Sequence, residues 1–190
     1  MPLKIRLLGF IPLTFFLLHW NYHASMGHPE NILWLCNLNN LVLAIGFVFQ
    51  LPLLIQIGII WLLPAFPLWL IDCYRLNDWP LTSILCHAGA LIFGLCMLPQ
   101  VRMNRRAWIP ALVYAFGVQQ ICRWFTPPDQ NVNVAFSIFP GWESIFPHYW
   151  EFWVFVLLES CVGIYLIVFF LAKKFPEREK GSRAGLIETS

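Results

Sequence analysis

Charge is what this sequence has least of. Only 12% of its 190 residues are Asp, Glu, Lys or Arg and 59% are hydrophobic, against about 25% and about 45–50% in an ordinary soluble domain. That shortage excludes a water-soluble monomer: 17 Phe, 10 Trp and a mean hydropathy of +0.66 leave more apolar surface than a core of this size can hide. The net charge of +2 comes without a basic stripe interleaved with aromatics, so nucleic acid is excluded as a partner. The six cysteines, Cys36, Cys73, Cys86, Cys96, Cys122 and Cys161, are scattered through apolar runs with no Cys-x-x-Cys. A disulfide framework, a dithiol oxidoreductase and a zinc ribbon fall away together. There is no internal repeat and no low-complexity segment.

What the chain does have is long apolar runs. A lipid-spanning helix needs about 20 mostly apolar residues, and six stretches approach or meet this: 6–22, 31–49, 51–71, 83–99, 108–125 and 149–171. The sequence therefore predicts an all-α polytopic transmembrane bundle of about six helices over 1–172, with a polar tail at 173–190 of disordered composition. The first run resembles a signal peptide in length, but its exit, His23-Ala24-Ser25-Met26-Gly27, is a poor cleavage site, which favours a retained helix. Pro52 suits a first helical turn, and Pro64 and Pro67 predict a kinked third span.

Basic residues set the orientation. With both termini cytoplasmic, that side collects Lys4, Arg6, Arg102, Arg105, Arg106, Lys173, Lys174, Arg178, Lys180 and Arg183, leaving Arg75 and Arg123 opposite. The expected location is a membrane, multi-pass. All five histidines then fall toward the outer face: His19, His23, His28, His87 and His148. So do Glu30, Asp72, Asp78, Asp129, Asn131, Asn133, Glu143 and Glu151. A site, if present, faces outward, although interfacial polar residues need no special function.

Depth narrows the candidates. Cys36 is expected about 7 Å inside its helix and His87 about 6 Å inside its own, at 1.5 Å per residue. Asn37 and Asn40 flank the cysteine with amides that would not face lipid. A thiol beside an imidazole is the minimum for nucleophilic acyl chemistry, with amide donors to hold an oxyanion. A lone cysteine in an apolar helix is equally a small packing residue. Glu159 lies about 15 Å into the last span, where an ionised side chain costs about 2.5–3.5 kcal/mol on the mildest scale. It is expected to face protein or water, with Gln119, Gln120 and Arg123 as partners. Asp72, Arg123, His148 and Glu151 complete the expected outward binding residues. His19 and His23 share the i, i+4 spacing of metal ligands, with His28, Glu30, Asp72 or His148 to complete a set, but no complete ligand motif is present; no metal and no cofactor are expected. The long loop 126–142, with Asn131 and Asn133 at alternating positions, suits a binding loop or a cap on the bundle.

Two blocks, Pro29-Glu30-Asn31-Ile32-Leu33-Trp34-Leu35-Cys36-Asn37 and Asn131-Val132-Asn133, resemble those of an uncharacterised family of bacterial multi-pass membrane proteins. More distantly, the order of motifs is similar to YwaF-type proteins and their eukaryotic relatives. Those are membrane acyltransferases that move fatty acyl chains onto ether phospholipids through a cysteine. The resemblance implies Cys36 as nucleophile, His87 as base, and Asn131 and Asn133 as positioning residues. Trp34 stands where the distant family has a histidine. The expected function is lipid acyl transfer at the outer leaflet, with membrane lipids as partners. The alternative is a non-enzymatic subunit of a membrane complex or a small-molecule carrier, with a membrane-protein partner.

Overall fold

The computed structural model describes residues 3–177. They form an all-α bundle: α1 (Leu3–Leu7), α2 (Phe10–Ser25), α3 (Leu35–Val48), α4 (Pro52–Leu76), α5 (Leu81–Ile84), α6 (Ala90–Val101), α7 (Trp108–Phe125) and α8 (Tyr149–Lys174). Helices α5 and α6 are one continuous rod joined by a π turn over Leu85–Gly89. Among the described residues three helices are long and apolar enough to cross a membrane: α4 with 25 residues, the α5–α6 rod with 21 and α8 with 26.

Local chemistry sets the boundaries. Leu8 and Gly9 separate α1 from α2, and a Cβ on Gly9 would come within 2.9 Å of Phe47 Cβ, so the first predicted span breaks where it presses on α3. Helix α3 ends in a Schellman turn. Gln50 takes positive φ, the Leu51 N–H reaches the Gly46 carbonyl at 2.8 Å, and the Gln50 N–H reaches that of Phe47 at 3.3 Å. Pro52 then opens α4 at the position where a missing N–H costs nothing. Helix α4 runs through Pro64 and Pro67 and one turn past its predicted end, to Asn77 in the left-handed region. The second predicted span is the largest difference. Pro29–Leu33 form a 3₁₀ turn, Trp34 is extended (φ −54°, ψ 133°), and α3 begins only at Leu35.

The core lies between α3, α4 and α6, with Leu43, Phe47, Ile55, Ile59, Ile60 and Leu98 almost fully enclosed. Small residues bring α3 and α4 together: a Cβ on Gly58 would meet Leu43 Cγ at 2.7 Å, and one on Gly46 would meet Ile55 Cγ1 at 2.7 Å. At one end of the bundle the Arg6 Nε–H donates to the Val48 carbonyl, the Gln56 amide to the Arg102 carbonyl, and the Met103 N–H to the Phe175 carbonyl. These bonds gather α1, the α3–α4 turn, the α6–α7 loop and the end of α8 on one side. Lys173 and Lys174 thus close α8 rather than start a tail, while 178–190 lie outside the described residues.

Candidate functional site

The opposite end carries the polar residues. Cys36 is the second residue of α3, so it stands at the helix mouth rather than about 7 Å inside it. Its thiol neighbours Asn37 Oδ1 at 3.8 Å. Asn37 is buried and donates to the Asn31 carbonyl at 3.0 Å, tying the 3₁₀ turn to the helix. The Asn40 amide donates to the Cys36 carbonyl at 3.3 Å and to the Cys86 carbonyl at 3.0 Å. One side chain thus joins the backbone beside the candidate nucleophile to the backbone beside His87. No hydrogen bond joins Cys36 to His87 among the described residues.

His87 sits on the π turn, a feature without a sequence signature. Such turns bond five residues back and loosen the regular ladder at their entrance; here the Ala90 N–H reaches the Leu85 carbonyl. The His87 Nδ1–H donates to the Ser83 carbonyl at 2.8 Å. A carbonyl only accepts, so in the neutral ring Nδ1 holds the proton and Nε2 the lone pair. Trp69 stacks on the imidazole with centroids 4.8 Å apart and donates its indole N–H to Ser83 Oγ at 2.8 Å. Nearby, His19 Nδ1 meets Thr82 Oγ1 at 3.0 Å, and the Nε2 atoms of His19 and His23 lie 3.2 Å apart. His28 pairs with Glu30 instead. Among the described residues no group of three or more His, Cys, Asp or Glu converges in metal-binding geometry.

The loop after α7 is docked, not extended. Asn131 and Asn133 adopt left-handed backbone, which asparagine tolerates better than most residues. Asn131 Oδ1 accepts the N–H groups of Phe136 and Ser137, stapling its own loop. Asn133 reaches α3: its Oδ1 accepts the Leu35 N–H at 2.8 Å and its amide donates to the Leu33 carbonyl at 2.7 Å. It therefore satisfies one of the unpaired N–H groups that every helix start leaves. The next carbonyls are collected from below. The Gln119 amide donates to that of Asn133, and the Tyr149 hydroxyl and Arg123 Nε–H donate to that of Ala135.

Between them α7 and α8 leave a groove of about 780 Å³, lined by Leu112, Val113, Phe116, Gln120, Arg123, Tyr149, Trp150, Trp153 and Leu157. Its walls are apolar at depth and polar at the loop end. Arg123 Nη1 donates to Gln120 Oε1 at 3.4 Å and Nη2 to the Tyr149 hydroxyl at 3.1 Å. A guanidinium has five N–H groups, so one on each terminal nitrogen remains, and no carboxylate pairs with Arg123 among the described residues. Sequence reasoning singled out Arg123 but missed Tyr149, Trp150 and Trp153; the Gln120, Arg123 spacing of three on one helix face was the available signal.

The remaining candidates are spread out. Asp72 is half-buried near the far end of α4, His148 is exposed at the α8 N-cap, and Glu151 is half-buried in the first turn of α8. Glu159 is placed differently from expectation. It is exposed on the outside of the bundle. Gln119 is engaged by Trp153 and the loop, and Gln120 by Arg123. The reason is rotational: Glu159 is two residues past Leu157 of the groove, about half a helical turn away. No family model, curated protein or solved structure matches the chain.

Proposed function

We propose that this is a six-span membrane protein, with both termini cytoplasmic, that holds a phosphate-bearing lipid from the outer leaflet in the groove between α7 and α8. The supporting observation is Arg123, a cation with free N–H groups and no carboxylate paired with it among the described residues, set at the polar end of an apolar groove. From Leu112 to Arg123 the groove runs about 16 Å along α7 at 1.5 Å per residue. That is the depth of one leaflet, half of the about 30 Å hydrocarbon core. An acyl chain lies along Val113, Phe116 and Leu157, and the phosphate accepts from the two free guanidinium N–H groups. Trp150 supplies an interfacial ring at headgroup level.

The test is lipid titration of the delipidated protein in detergent, read by native mass spectrometry. Phosphatidylglycerol is expected to bind more tightly than diacylglycerol with the same chains. Arg123→Gln should weaken it by about 1.5–3 kcal/mol, the usual worth of hydrogen bonds to a charged group. Equal binding of both lipids, or no effect of Arg123→Gln, contradicts the proposal.

The tautomer of His87 favours a second reading, acyl transfer through Cys36. With Nδ1 tied to Ser83, Nε2 is the atom free to accept a thiol proton. In that reaction Cys36 Sγ attacks an acyl ester carbonyl and His87 passes the thiol proton to the departing alcohol. A second lipid hydroxyl then takes the acyl group and returns a proton to the sulfur through His87. Cys36→Ala and His87→Ala should each abolish an acyl-chain exchange seen on overexpression, with the protein level unchanged. Retention of that exchange in Cys36→Ala rules this chemistry out.

A further inference from the structure

Glu159 has no role in the lipid groove, and its position requires a different explanation. It lies ten residues from the start of α8 at Tyr149 and fifteen from its end at Lys174, so it stands about 15 Å from one end and about 22 Å from the other. It is exposed on the helix face turned from α7. No hydrogen bond or ion pair reaches it among the described residues. Its neighbour one turn on is Gly163, where an added Cβ would find only Glu159 Oε1 within 4 Å, at 3.7 Å. The surface beside the carboxylate is therefore open and low.

The residues around it form a seam. Phe155, Glu159, Val162, Leu166 and Phe169 follow the 4, 3, 4, 3 spacing of a left-handed helix–helix contact, and the apolar members are 41%, 61%, 45% and 50% exposed in chain order. A single polar residue in such a seam fixes register and partner. Ionisable residues at this depth pair with one another or face a water-filled cavity, and Glu159 has no such partner among the described residues.

We infer that this face of α8 docks a transmembrane helix of another protein carrying a lysine or arginine at mid-membrane depth. Charge decides against a second copy of this chain. The described basic residues lie in loops or in terminal turns, and α8 has none between Tyr149 and Leu171. A copy in the same orientation brings only its own Glu159 to this level, a like charge.

The test uses the full chain, donor-labelled in phosphatidylcholine vesicles, with acceptor-labelled leucine peptides of about 20 residues whose central residue is Lys, Glu or Leu. Energy transfer is expected with the Lys peptide, and should fall by about tenfold in apparent affinity for the Leu peptide or for Glu159→Gln. Glu159→Lys should lose the Lys peptide and gain the Glu peptide, a reversal that misfolding cannot produce. Transfer indifferent to the central residue overturns the inference. So does Glu159-dependent transfer between copies of the chain without peptide.

Discussion

Asn39 and Asn40 are neighbours on α3 and both fully buried, yet only one of them is used. The Asn40 amide bridges two carbonyls on different elements, whereas both polar atoms of Asn39 lack a partner among the described residues. A buried unpaired amide carries its desolvation cost with no return. Asn39→Leu, which keeps the forked shape, is expected to be neutral or to stabilise the protein by about 1 kcal/mol, and Asn40→Leu to destabilise it by about 1–3 kcal/mol. Unfolding in mixed micelles measures both; a loss above about 2 kcal/mol for Asn39→Leu would show that its amide is bonded in the protein. Neither outcome follows from sequence, because the two residues are identical in type and adjacent. What separates them is about 100° of helical rotation.

At the scale of elements, the close contact between α3 and α4 depends on glycine as space, not as flexibility. Gly58→Ala pushes a methyl to 2.7 Å from Leu43 Cγ and 3.2 Å from the Asn39 carbonyl, so it should cost about 1–3 kcal/mol. Gly117→Ala on α7 meets nothing within 4 Å and should cost nothing. Thermal unfolding in detergent separates them, and equal effects would contradict the packing described. Helix identity was largely legible: α7 begins and ends where the apolar run does, at Trp108 and Phe125. Helix α3 was not, because Ile32, Leu33 and Trp34 are apolar whether they lie in a 3₁₀ turn or in a helix. Reading them as helix set Cys36 in the interior, whereas it stands at the mouth. The π turn at His87 was invisible for a related reason, since Leu85–Gly89 fit an α-helical apolar run as readily as a π turn.

For the whole molecule, scarcity of charge made the remaining charges informative. The basic residues expected on one side are held there by physical links, Arg6 to Val48 and the Arg102 carbonyl to Gln56. The opposite end keeps Arg123, and the loop of residues 126–148 is fastened around it through Tyr149 and Gln119. Sequence placed Glu159 midway along the last apolar run but did not show which way it faces, because the apolar residues of α8 lie on every side and name no inner face. The groove was hidden likewise, being made by two helices whose contact only the fold defines. Its occupancy is decided most directly by a phosphatidylglycerol analogue bearing a mid-chain diazirine, photolysed with the protein in vesicles and mapped by mass spectrometry. Adducts concentrated on Val113, Phe116 and Leu157, and reduced in Arg123→Gln, are the expected result. Adducts spread evenly over other exposed apolar residues such as Leu68, Ile92 and Leu166, with no dependence on Arg123, would contradict a lipid site between α7 and α8.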